Sequence, residues 1–221
     1  MIYIYYSVIS ENNHKKLMQE FLLRFPIDFQ NRITSYRRWQ DAQLSILGRI
    51  LLYRGTDHFD KKYKEISIKY NKHKKPNFGE EKVYFNISHS GEIVVCAVTN
   101  ICDIGIDIEL QRDIQIEDFQ PQMTEGEWMK ISTSFNKRDS FYKYWTQKEA
   151  VIKGCGKGLS VPLKSFEISQ NTAMIDDEKF FLKEIKLDDK YKCYIATNML
   201  VNEACIKISE VVSPDYYPNL I

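Results

Sequence analysis

The seven residues Ile104-Gly105-Ile106-Asp107-Ile108-Glu109-Leu110 accept one conformation far more readily than any other. Apolar side chains recur at every second position, and three of them are β-branched. That alternation is the signature of a strand with one buried face. Ile104, Ile106 and Ile108 then point one way, and Gly105, Asp107 and Glu109 point the other. The two carboxylates lie about 6–7 Å apart along the strand. Like charges at that spacing repel unless a cation or a basic group joins them. A hard divalent ion takes oxygen ligands and leaves room for phosphate oxygens. An acidic face turned to water accounts for the same pattern, and on the strand alone it is the commoner outcome.

The chain is 221 residues long, one large domain or two small ones, and 43% of it is hydrophobic, enough to bury a core. Net charge is +1, so no global charge argues for nucleic acid. Residues 1–100 carry +6 and residues 101–221 carry −5. A basic first half suits an anionic ligand and an acidic second half suits a metal, although an uneven spread of solvated charge explains the split equally well. The five cysteines are scattered without a CxxC pair, which argues for a reducing compartment and against a disulfide or zinc framework. Met1–Tyr6 is apolar but has no basic leader or cleavage site, so it reads as a first strand. No apolar run approaches the roughly 20 residues of a membrane helix. These features predict a soluble, cytoplasmic protein.

The spacing predicts a strand over 2–9, helices over 12–24 and 36–54, and a strand over 66–70. Pro26 closes the first helix and Gly55 stops the second. Strands follow over 83–87 and 93–98, with Ser88-His89-Ser90-Gly91 as the turn between them. Thr124-Glu125-Gly126-Glu127 resembles a capping box. A helix is expected over 138–153, ended by glycines at 154, 156 and 158. The remainder, at 166–169, 180–182, 191–196 and 204–208, reads as antiparallel sheet. Each half shows a helix followed by strands, a coarse internal echo.

Trp145, Glu149 and Lys153 are spaced i, i+4, i+8 and share a helix face. That face offers a third carboxylate and an ammonium, or an exposed ion pair beside a core tryptophan. A histidine and hydroxyls in the 88–91 turn could hold a phosphate, or form an ordinary polar hairpin. Gly154–Gly158 lacks the spacing of a phosphate loop and follows a helix instead of preceding one.

Three blocks in this order carry a resemblance. They are Phe85-Asn86-Ile87-Ser88-His89-Ser90-Gly91, then Ile104–Glu109, then Trp145-Thr146-Gln147-Lys148-Glu149-Ala150-Val151-Ile152-Lys153 running on to Gly156-Lys157-Gly158-Leu159-Ser160. Together with Lys75-Pro76 they resemble the phosphopantetheinyl transferase family, of the larger Sfp type. The resemblance covers residues 30–165 and is weaker outside them.

The resemblance implies an α+β fold of two similar α/β subdomains related by a pseudo-twofold, with the active site at their interface. The boundary is expected at 102/103. Residues 1–102 would take the 3′-phosphate and adenine of coenzyme A, and residues 103–221 the Mg²⁺ carboxylates and catalytic helix. Asp107, Glu109 and Glu149 are the implied Mg²⁺ ligands, and either Glu149 or Glu109 the base. Lys153 would neutralise the leaving pyrophosphate. Ser88 and His89 would hold the 3′-phosphate, Lys75 and Pro76 would border the adenine, and Ser45 and Arg32 would contact phosphate. The pattern departs at Phe29, where the family has a basic residue.

The implied reaction moves the phosphopantetheine arm of coenzyme A onto a serine of an acyl, peptidyl or aryl carrier protein and releases 3′,5′-ADP. Carrier contacts are expected around 123–131. Both halves lie in one chain, so a monomer is expected, whereas the smaller holo-acyl-carrier-protein synthases build trimers from a single half. A non-catalytic relative that binds coenzyme A or a carrier, and another Mg²⁺-dependent phosphodiester enzyme, are the alternatives.

Overall fold

A computed structural model of the chain describes residues 1–59, 68–80 and 82–212. Strand β1 is Ile2–Val8. Helix α1, Glu11–Lys16, continues through a π-helical turn at Leu17–Phe21 and a 3-10 turn ending at Arg24. Helix α2, Ile27–Thr34, was not expected from the sequence. Pro26 ends one helical segment and begins the next, because a proline is tolerated where a helix starts. Helix α3 is Trp39–Thr56. Strands β2 (Lys69–Tyr70) and β3 (Pro76–Asn77) pair as a small hairpin. Ile66 and Ser67 of the expected strand fall outside the described residues.

Strands β4 (Tyr84–Ser90) and β5 (Ile93–Thr99) pair antiparallel. The expected four-residue turn shrinks to Gly91-Glu92, and Ser88, His89 and Ser90 belong to the strand. Then come β6 (Ile104–Leu110), α4 (Glu125–Ser132), α5 (Lys137–Cys155), β7 (Thr172–Ile175), β8 (Glu178–Glu184), β9 (Tyr191–Thr197) and β10 (Ile206–Glu210). The capping box of α4 forms as expected, with Thr124 Oγ1 accepting from the Glu127 amide at 3.2 Å and Glu127 Oε2 accepting from the Thr124 amide at 2.9 Å. Residues 166–169 are irregular, joined to β7 by one bridge at Ser169.

Among the described residues two four-stranded sheets form, ordered β10-β1-β5-β4 and β6-β9-β8-β7. The internal echo is a shared topology. In the first half β1, α3, β4 and β5 give the order β1-β5-β4, and in the second β6, α5, β8 and β9 give β6-β9-β8. Strand β10 corrects an expectation. It runs parallel to β1 at the edge of the first sheet, where antiparallel sheet was expected, so the last described strand packs with the first half.

The layers run α3, first sheet, second sheet, α5. Tyr5, Val94, Cys96 and Val98 pack on α3. On the opposite face Ile2, Ile4, Ile93, Val95 and Ala97 meet Ile104, Ile106, Ile108, Cys193 and Ile195 of the second sheet. Covered on both faces, β5 is buried at every position, which is why its sequence shows no alternation. The other face of the second sheet meets Ala150, Val151 and Ile152 of α5 through Phe180, Leu182, Tyr194 and Ala196. No helix among the described residues is long and apolar enough to cross a membrane.

Gly105 allows the α5 contact. A Cβ there would stand 2.0 Å from the Ala150 carbonyl oxygen and 2.3 Å from the Gly154 nitrogen. Both are backbone atoms, so no side-chain rotation relieves the clash. Gly105→Ala is expected to lower stability by about 3 kcal/mol, the upper end of overpacking costs, because strand and helix must separate. Urea unfolding checks this, and a loss below about 1 kcal/mol would contradict the close approach.

Candidate active site

The two halves meet along β4 and β6. Strand β6 is the edge of its sheet, and its outward N–H groups need partners. Strand β4 supplies them from side chains four residues apart, on one face of the strand. Asn86 Oδ1 accepts from the Ile106 amide at 2.9 Å, and Ser90 Oγ accepts from the Leu110 amide at 3.1 Å. Between them Ser88 Oγ donates to Asp107 Oδ1 at 2.9 Å, and Ser90 Oγ donates to Glu109 Oε2 at 2.8 Å. The period of two in Asn86-Ile87-Ser88-His89-Ser90 carried this signal, although only Ser88 and His89 were singled out from the sequence.

Helix α5 closes the cluster from the other side. Lys153 Nζ donates to Asp107 Oδ1 at 2.5 Å and to Ser88 Oγ at 2.8 Å. The Trp145 indole lies beside Glu109 and favours its charged form. Asp107 is 3% exposed, and its Oδ2 is buried with no hydrogen-bond partner among the described residues. Burial pushes the Asp107 carboxyl up, opposed first by the Lys153 ammonium. Burial also raises Glu109, with the Asp107 charge next, and it raises Glu149, with the Asp107 charge again next. The structure thus gathers Asp107, Glu109, Glu149 and Lys153, all four expected.

Among the described residues no group of three or more His, Cys, Asp or Glu side chains is arranged to grip a metal ion. The chemistry of the cluster nevertheless fits a hard cation. Three carboxylates share one ammonium, the Asp107 charge raises the proton affinity of Glu109 and Glu149, and among the described residues one buried oxygen lacks a partner.

His89 points to the other face of β4. It lines a cavity of about 250 Å³ with Arg32, Ser45 and Pro76, three further expected cofactor residues. Desolvation, and then the Lys153 charge, hold its imidazole below the ordinary histidine value. The cavity also holds Arg49, which the sequence reading missed. Arg49 lies four residues after Ser45, on the same side of α3, and that spacing was the available signal. Phe29 does not leave a gap where the family has a cation. Its ring lies 5.0 Å from each of the Arg32 and Arg49 guanidinium carbons, so it braces both.

Two expected cofactor residues lie elsewhere. Ser88 is not on this cavity, because strand alternation turns its hydroxyl to Asp107 and Lys153. Lys75 lines an adjoining cavity of about 180 Å³, and its ammonium is bound to backbone carbonyls. In the expected carrier region Met123 and Ile131 are core residues beside Phe141, while Met129 is 65% exposed.

A three-carboxylate cluster and a cation-lined pocket thus lie on opposite faces of β4, where the two halves meet. The family model "4′-phosphopantetheinyl transferase superfamily" matches residues 103–202, and "4′-phosphopantetheinyl transferase, N-terminal" matches residues 13–101. The chain is 33% identical to 4′-phosphopantetheinyl transferase gsp of Aneurinibacillus migulanus, over 74% of this chain and 72% of that one. It is 32% identical to 4′-phosphopantetheinyl transferase Sfp of Bacillus subtilis, over 72% and 69%. It is 29% identical to L-aminoadipate-semialdehyde dehydrogenase-phosphopantetheinyl transferase of Xenopus laevis, over 78% and 63%. The chain belongs to the 4′-phosphopantetheinyl transferase superfamily.

Proposed function

We propose that this protein moves the 4′-phosphopantetheine arm of coenzyme A onto the serine hydroxyl of an apo carrier protein and releases 3′,5′-ADP. The observation that carries the reading is the division of labour across β4. His89 faces the Arg32–Arg49 pocket, and its neighbours Ser88 and Ser90 face Asp107 and Glu109. A substrate with a phosphate at one end and a pyrophosphate at the other spans that strand.

In this reading Arg32, Arg49, Ser45 and His89 hold the 3′-phosphate, and Pro76 borders the adenine. Lys75 and Ser88 support them from the adjoining cavity and from the carboxylate cluster. Asp107, Glu109 and Glu149 would hold Mg²⁺, which would supply positive charge against the pyrophosphate. The carrier serine attacks the β-phosphorus, and the bond from that phosphorus to the bridging oxygen breaks. Glu149 takes the serine proton. Among the described residues no side-chain hydrogen bond holds the Glu149 carboxylate, whereas Glu109 is held by Ser90. Lys153 neutralises the charge that grows on the leaving 3′,5′-ADP. The protein's part is positioning and charge neutralisation.

Residues 1–102 carry the pocket and residues 103–221 the carboxylates, and both come from one chain, so the enzyme works as a monomer. Its five cysteines are free, which supports a place in the reducing cytoplasm.

Intact-protein mass spectrometry of a panel of apo acyl, peptidyl and aryl carriers tests the reading. With coenzyme A and Mg²⁺, a carrier should gain the arm while 3′,5′-ADP appears, and a chelator should stop both. Tight coenzyme A binding without mass gain on any carrier would leave a binding relative. Cleavage of coenzyme A without transfer would indicate a different phosphodiester enzyme. Arg49→Ala should raise the KM for coenzyme A by about tenfold with little change in kcat, the pattern of lost uniform binding. An unchanged KM would remove Arg49 from the pocket's role.

A further inference from the structure

Helix α5 carries Trp145, Glu149 and Lys153, and it ends at Cys155 with Gly156 in the left-handed region at φ 71°. The last carbonyls of a helix have no partner within it. Two carbonyls at this end are met from the other half of the chain. Asn71 Nδ2 donates to the Gly156 carbonyl at 3.0 Å. Lys75 Nζ donates to the Gly154 carbonyl at 2.8 Å and to the Ile104 carbonyl, at the first residue of β6, at 3.3 Å. A cation at a helix C-terminus also meets the negative end of its dipole. Gly154 directly follows Lys153, so Lys75 grips the helix beside the residue that reaches Asp107.

Both donors come from the turn between β2 and β3. That turn is built around Asn71, whose Oδ1 accepts the His73 and Lys75 amides at 2.9 Å each. Its flanking residues Tyr70 and Pro76 line the Arg32–Arg49 pocket. One seven-residue segment therefore faces the cofactor pocket with its flanks and holds the end of the catalytic helix with its tip.

We infer that Asn71 is a positioning residue for the transfer reaction: its Nδ2–H, with the Lys75 ammonium, fixes the end of α5 against β6 and so ties the placement of Glu149 and Lys153 to the wall of the cofactor pocket. This rests on the transferase reading. The two ends of the Asn71 amide separate its roles. The oxygen builds the turn, and the nitrogen holds the helix.

Asn71→Asp keeps an oxygen for the His73 and Lys75 amides, removes the donor, and turns a negative charge toward the Gly156 carbonyl. Steady-state kinetics should show kcat lowered about 10- to 100-fold, the scale of a misplacement of about 1 Å, with the KM for coenzyme A within about twofold of the parent. Asn71→Ala, which removes both ends, should lower kcat and also raise KM. A parental kcat in Asn71→Asp would show that the residue only builds the turn and would overturn the inference. A raised KM with unchanged kcat would overturn it as well. If the parent protein makes no holo carrier, the transferase reading itself fails, and that result is distinct from both.

Discussion

Lys148→Met is expected to lower stability by about 3–5 kcal/mol, the cost of leaving one member of a buried ion pair without its partner. Lys148 and Glu127 are both 0% exposed, and Lys148 Nζ lies 2.9 Å from Glu127 Oε2. The ammonium also donates to the Leu163 carbonyl at 2.8 Å and to the Phe166 carbonyl at 2.6 Å. Glu127 is equally committed, accepting from the Thr124 and Ile168 amides. One ion pair thus ties the start of α4, the middle of α5 and the 163–168 segment together. Methionine matches the length of the stem but offers no donor, so the carboxylate and two carbonyls lose their partner. Adding Glu127→Leu should recover only part of the loss. It removes the stranded charge but leaves the Thr124 and Ile168 amides unmet. Urea unfolding of the parent, the two single variants and the double variant measures the coupling. A loss below about 1 kcal/mol in Lys148→Met would contradict a buried, fully engaged pair.

Combining Asp107→Asn with Glu149→Gln is expected to lower carrier labelling by at least about 10³-fold, some 4 kcal/mol of transition-state stabilisation. Both replacements keep shape and remove charge. Folding should survive, because desolvation raises the proton affinity of both carboxyls in the parent, and the Asp107 charge adds to it at Glu149. Relieving that repulsion offsets the loss of the Lys153–Asp107 contact. Single-turnover labelling of an apo carrier, with an unfolding curve on the same sample, separates the two effects. Labelling within about tenfold of the parent would remove these carboxylates from the chemistry. Unfolding of the variant would assign them to the scaffold instead, and Asp107→Asn alone would then report on the site.

Much of the site was legible because local periodicity sorts side chains onto faces. The alternation of Ile104–Leu110 placed Asp107 and Glu109 together, and the helical spacing of Trp145, Glu149 and Lys153 placed those three on one side of α5. The structure brings the two faces into contact. Less was legible where a residue's partner is distant in sequence. Ser88 and His89 read as one phosphate-holding pair, yet they serve opposite faces of β4. Lys75 read as a neighbour of the adenine, yet its ammonium caps α5.

Backbone sterics act over one or two residues in a strand and one turn in a helix. The sequence by itself therefore determined most of the strands, the α4 capping box, the two faces of β6 and the working face of α5. What each face meets depends on packing between segments far apart in the chain. Only the tertiary structure decided that β10 returns to the first sheet, that Gly105 is the crossing point of β6 and α5, that Arg49 joins the pocket, and that Lys148 is an internal strut. The Ile104–Leu110 strand shows both levels. Its alternation set two carboxylates on one side, and the approach of α5 over Gly105 placed an ammonium and a third carboxylate beside them.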